Sequence, residues 1–74
     1  MWRDLITIDP SIRSGKPCLK GTRITVFDVL DYLAGGMDAE AILADFPVLA
    51  REHINACLAY AAERERRLHA LPAA

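Results

Sequence analysis

The groups in this chain from which chemistry could be assembled are two histidines, two cysteines, a string of aspartates and one Gly-Lys pair. Nucleophilic catalysis needs a hydroxyl or thiol beside a base, and acid–base work needs ionisable groups that face one another. His53 and His69 are sixteen positions apart, and neither adjoins a cysteine or a carboxylate pair at a suggestive spacing. Cys18 and Cys57 belong to no paired spacing, so neither a disulfide framework nor a zinc site is indicated. Cys57 reads as a small buried apolar residue and Cys18 as a more loop-like one. Asp28, Asp31, Asp38 and Asp45 could gather around a metal, but three of them read as cap or outer-face residues. Gly15-Lys16 lacks the glycine five positions earlier and the hydroxyl residue after the lysine that a phosphate-cradling loop requires, because Pro10 and Pro17 hold those places. No catalytic residue, metal or cofactor is therefore expected, and the chain reads as a non-enzyme.

What remains is recognition. Residues 15–26 pack two glycines, a proline and three cations into a turn-rich segment directly before a helix. Lys16, Lys20 and Arg23 lie among glycines that allow close backbone approach, an arrangement suited to phosphate oxygens. Arg23 is equally suited to pinning an acidic group of the first or second helix. The net charge of −1 conceals sorting by segment: residues 1–25 carry +3, residues 26–47 carry five acids and no cation, and residues 48–74 carry +1. Such sorting can make a basic surface that fits phosphate and an acidic one, built on Asp28, Asp31 and Asp45, that fits a basic partner. Solvated helix faces are the other use of such runs.

The scaffold that must hold these side chains is small. A chain of 74 residues has room for one domain, which buries only roughly 60–65% of the surface its unfolded form exposes. A partner or second copy is therefore expected. Hydrophobic residues make up 53% and charged ones 26%, enough for a folded core. No apolar run approaches the roughly 18–20 residues that span a bilayer, and Met1-Trp2-Arg3-Asp4 does not open a signal sequence, so a cytoplasmic location is expected.

Leu5-Ile6-Thr7-Ile8 is β-branched and stopped by Asp9-Pro10, which predicts a strand. Ile12 could continue in a second extended piece and Leu19 could begin the return, with turns at Gly15-Lys16-Pro17 and Lys20-Gly21. The arm of residues 1–25 is then a hairpin or extended segment lying across the helices as a flap. Thr25 and Asp28 mark a helix start, and Val26, Val29, Leu30 and Leu33 give an inner face over 26–34, with Asp28 and Asp31 outward. Gly35-Gly36 ends that helix. Asp38 caps a second helix over 39–46, with Ala39, Ile42, Leu43 and Phe46 inward, and Pro47 stops it. A third helix runs over 51–67 with Ile54, Cys57, Leu58, Ala61 and Leu68 along one side, and residues 71–74 form a tail.

The short turn between the second and third helices matches a helix-turn-helix, as it also matches a plain three-helix packing bundle. Opposite the Ile54 row the third helix presents Glu52, Asn55, Ala56, Ala59, Glu63 and Arg66. Small alanines beside Asn55 let another surface come close, either a base-pair edge or a neighbouring helix. Tyr60 borders this face as a half-buried residue, and the charged run 63–67 reads as a solvated helix end.

Asp9-Pro10, Gly15-Lys16-Pro17, Gly21-Thr22-Arg23-Ile24, Val26, Gly36, Ile42-Leu43, Phe46-Pro47, Leu49, Ile54 and Ala59-Tyr60-Ala61, in this order and spacing, resemble the small proteins of the domain of unknown function 433. The resemblance covers about residues 5–62. It implies a mostly α, homeodomain-like three-helix bundle with an N-terminal β element. It also implies the antitoxin of a type II toxin–antitoxin pair, a homodimer that binds its own operator DNA and neutralises a PIN-like ribonuclease toxin. On that reading Arg51, Glu52 and Asn55 enter the major groove while Lys16, Lys20 and Arg23 hold phosphate. The alternative is a protein-interaction or oligomerisation module without DNA binding, using the acidic surface. Ala50 stands where the family tends to have Thr or Ser, which predicts a third helix without a side-chain cap. Cys18 replaces a more usual Val or Ile. With few residues after the third helix, a separate toxin-neutralising tail is not expected.

Overall fold

A 3-10 turn at Trp2–Asp4 leads into β1 (Ile6–Thr7), which pairs antiparallel with β2 (Cys18–Leu19), Ile6 opposite Leu19 and Thr7 opposite Cys18. The computed structural model describes residues 2–70, so the expected tail lies outside the described residues. The hairpin is shorter than the expected strand at 5–8 because Asp9 bends the chain at once: its Oδ1 accepts from the Ser11 hydroxyl at 2.7 Å and the Ser11 N–H at 2.9 Å. Cys18 also bridges to Thr25, so the segment entering the first helix runs back along β2.

Three helices follow: α1 (Val26–Ala34), α2 (Ala39–Asp45) and α3 (Arg51–Ala70). The first starts on a reciprocal cap, in which Thr25 Oγ1 accepts from the Asp28 N–H at 2.9 Å and Asp28 Oδ2 accepts from the Thr25 N–H at 3.3 Å. It ends at Gly35-Gly36, where Gly36 takes the left-handed φ of +102°. The second is capped by Asp38, whose Oδ1 accepts from the Ala41 N–H at 2.9 Å, and Phe46 closes it ahead of Pro47. The turn into α3 is as short as expected, and the whole is a three-helix bundle in helix-turn-helix order with an N-terminal hairpin.

Leu19, Val26, Val29, Ile42, Leu49, Ile54 and Cys57 form the core, with Tyr32 stacked on Phe46 at 5.6 Å beside it. β2 and all three helices contribute and Ile6 of β1 packs against them, so the hairpin belongs to the hydrophobic unit. Cys18, expected to be loop-like, is buried as part of β2.

The expected inner face of α3 is corrected by the structure. Leu58 and Leu68 are 48% and 60% exposed, whereas Ala56, expected outside, is only 4% exposed. The cause is the Trp2–Asp4 turn, which lies along α3. The edge of Trp2 meets the Tyr60 ring at 5.4 Å, and Trp2 and Leu5 border the same shallow cleft as Ala56. A helix packed by a flap on one side and by α1 and α2 on another buries a sector that apolar spacing alone does not mark. Among the described residues no helix is long and apolar enough to cross a membrane.

Candidate nucleic-acid interface

Arg51, Glu52 and Asn55 are all exposed on the first turns of α3, directly after the turn from α2. Ile54 and Cys57 anchor that end of the helix in the core, which fixes the direction in which Asn55 projects. Ala50 supplies no side-chain cap, as expected, but His53 does part of that work: its Nδ1 accepts from the Ala50 N–H at 2.9 Å. That geometry places the neutral ring's proton on Nε2. Arg51 reaches Glu40 of α2 at 4.0 Å, an exposed pair that ties the two helices loosely.

The expected reading face is narrower than its sequence outline. Ala56 is covered, and Glu63 is engaged by Arg3 at 4.0 Å, by Arg67 at 3.5 Å and by Arg66. Arg3 also lies over the Trp2 ring at 4.6 Å, so the flap is held to α3 by an aromatic edge and an ion pair together. Glu52, Asn55 and Ala59 remain open beside a cleft of about 290 Å³.

Lys16, Lys20 and Arg23 are exposed, and none is paired with an acidic side chain among the described residues. They do not form one patch with the start of α3. Lys16 lines a groove with Arg64, and Arg64 lies nine residues beyond Asn55, about 13 Å along the helix. Lys20 follows β2, where its N–H bonds the Leu5 carbonyl at 2.8 Å. The pinning role weighed for Arg23 falls to Arg13: its Nη1 donates to the Arg23 carbonyl at 2.8 Å and stands 3.5 Å from Asp28. Of the acidic residues, Asp28 is thus occupied by the cap and by Arg13, while Asp31 and Asp45 are exposed.

Sequence reasoning passed over Trp2, Arg13 and Phe27, and weighed His53 only as a catalytic group. Phe27 carried a legible signal, an aromatic side chain on the polar side of an amphipathic helix, and it is 70% exposed. The others act through contacts that no local spacing encodes. Among the described residues no group of acids, histidines and cysteines is arranged to hold a metal ion. Burial pushes the Cys57 thiol up to about 11, which keeps it protonated and unreactive at neutral pH.

The family model described as protein of unknown function, DUF433, matches residues 6–61. The chain belongs to the DUF433 family. A DUF433 member protein from Anabaena variabilis, known from a crystal structure, has the same fold with a TM-score of 0.81 and 25% identity, covering 90% of this chain and 66% of that one. The uncharacterized protein y4eO of Sinorhizobium fredii is 37% identical over 59 residues, which are 80% of this chain and 27% of y4eO. This DUF433 chain thus spans about a quarter of the one relative and two thirds of the other.

Proposed function

We propose that this DUF433 protein is the DNA-binding antitoxin of a type II toxin–antitoxin pair, acting in the cytoplasm as a homodimer that binds its own operator and neutralises a PIN-like ribonuclease toxin. The observation that carries the DNA reading is the exposure of Arg51, Glu52 and Asn55 on the first turns of a core-anchored α3 that follows a short turn. In a helix-turn-helix those turns meet base edges, and the far end of the helix meets phosphate. Arg64, Arg66 and Arg67 stand at that far end, with Lys16 near Arg64. Asn55 suits an adenine edge, which an amide bonds through two atoms.

Gel-shift titration against the region upstream of its own gene tests this reading. Binding that weakens steeply as salt rises is expected, with Asn55→Ala losing discrimination between operator and unrelated DNA and Arg64→Ala weakening both alike. No salt-sensitive shift at micromolar protein would remove the DNA claim. A second reading, a protein-interaction module without DNA binding, is favoured by the exposed Asp31 and Asp45 and by the apolar groove beside α3. Co-expression with the neighbouring gene product decides it: co-purification without any DNA shift supports the module, and separate elution at low salt removes it.

A further inference from the structure

We propose that the groove between the start of α1 and the second half of α3 receives a second copy of this chain about a two-fold axis. This deepens the homodimer of the reading above and rests on it; the groove shares Lys16 and Arg64 with the phosphate contacts of that reading, so dimerisation is measured without nucleic acid.

The groove encloses about 640 Å³ over a floor of Val26, Leu30, Tyr60 and Ala61. Phe27 and Leu68 stand at its walls, 70% and 60% exposed. A two-fold interface uses one surface twice, so that surface must carry both the protrusion and the recess that accepts it. Both are present here: Phe27 and Leu68, large, apolar and mostly exposed, line the same hollow as the small Ala61.

The charges at the rim fit the same occupant. Lys16 and Arg64 border the groove, and Glu65 lies on it as well. When the two α3 ends run antiparallel, Glu65 of one copy approaches the cations of the other, so the rim complements itself. The spacing of α3 agrees. Leu58, Ala61, Glu65 and Leu68 alternate by three and four residues, the seam of a helix pair, and Leu58 and Leu68 have no place in the protomer core. Leu68 also borders a second hollow, with Ile6 and the exposed Ile8. The apolar strip therefore continues around the helix end, as an interface wider than one pocket requires.

Sedimentation equilibrium of the full chain without DNA or toxin, over a wide range of concentration, tests the proposal. A monomer–dimer equilibrium is expected, weakened roughly tenfold or more by Phe27→Glu and by Leu68→Glu, and unchanged by Val48→Glu. Val48 is as exposed and apolar but sits at the turn into α3. Circular dichroism identifies any variant that fails to fold, and two independent sites keep the test decisive. A chain that stays monomeric throughout, a dimer indifferent to both glutamates, or one equally weakened by Val48→Glu overturns the proposal. Because no nucleic acid is present, a failed gel shift leaves this result standing, and a monomer that still binds operator removes both this interface and the homodimer of the reading above while leaving its DNA contact.

Discussion

The two halves of α3 are built for different surroundings. The first half is anchored by Ile54, Ala56 and Cys57, tied back to the turn by His53, and exposes polar Arg51, Glu52 and Asn55. The second half is flanked by two apolar hollows and exposes Leu68 among cations. Tyr60, edge-on to Trp2, marks the border. Anchoring fixes where side chains point, which suits reading a fixed pattern. An open apolar flank with mixed charge suits burial against another chain.

Truncation should separate the halves most sharply. Ile54→Ala, at a site 2% exposed, should cost about 2–4 kcal/mol, whereas Leu68→Ala should leave monomer stability within about 0.5 kcal/mol. Urea unfolding at a concentration low enough to keep the chain monomeric measures both, and equal costs would erase the contrast. Titration of the anchored half comes next. The Cys57 thiol ordinarily ionises near 9.0 and is raised by burial to about 11, so folding favours its protonated form. The stability this group contributes is present below pH 9 and lost as pH rises to about 11, on the order of 2 kcal/mol. The difference in stability between wild type and Cys57→Ala, followed across that range, isolates it from other titrating groups. If that difference stays flat, the helix is less firmly seated there than its burial implies.

Smaller effects should come from the border and the cap. Trp2→Ala removes the edge contact with Tyr60 and the ring beneath Arg3, which should cost about 1–2 kcal/mol and expose Ala56. Faster amide exchange around residue 56 checks that the flap, and no distant change, is responsible. His53→Ala should cost about 0.5–1 kcal/mol by removing the acceptor of the Ala50 N–H. Ala50→Ser in the wild-type background should gain a similar amount, because a hydroxyl would bond a free N–H of the first turn. If thermal melts show no gain, the first-turn N–H groups need no hydroxyl acceptor at position 50.

The helices were legible because their ends carry chemical punctuation: Thr25 with Asp28, Gly35-Gly36, Asp38 and Pro47 each act through neighbours a few residues away. The buried sector of α3 was not, since Ala56 is covered by a turn more than fifty positions earlier in the chain, and alanine alone reads as either inside or outside. Exposure of Arg51, Glu52 and Asn55 followed from helical spacing against Ile54. The separation of Lys16 from that end did not, because the course of the arm depends on long-range contacts such as the Lys20 N–H to the Leu5 carbonyl. His53 illustrates the limit from the other side: the missing cap at Ala50 was visible, and its replacement needed a rotamer.

Arg13, Ser14 and Gly15 have successive φ values of +50°, +59° and +82°, a left-handed twist that side-chain-bearing residues avoid. Arg13 offsets that strain by reaching Asp28, the same carboxylate that closes the cap of α1. One carboxylate therefore latches two things at once, the opening turn of a helix and the loop that carries Lys16. Any change that unlatches it, such as Asp28→Ala, should loosen both together, so the cation's reach is governed by the first turn of α1 as well as by the loop's own sequence.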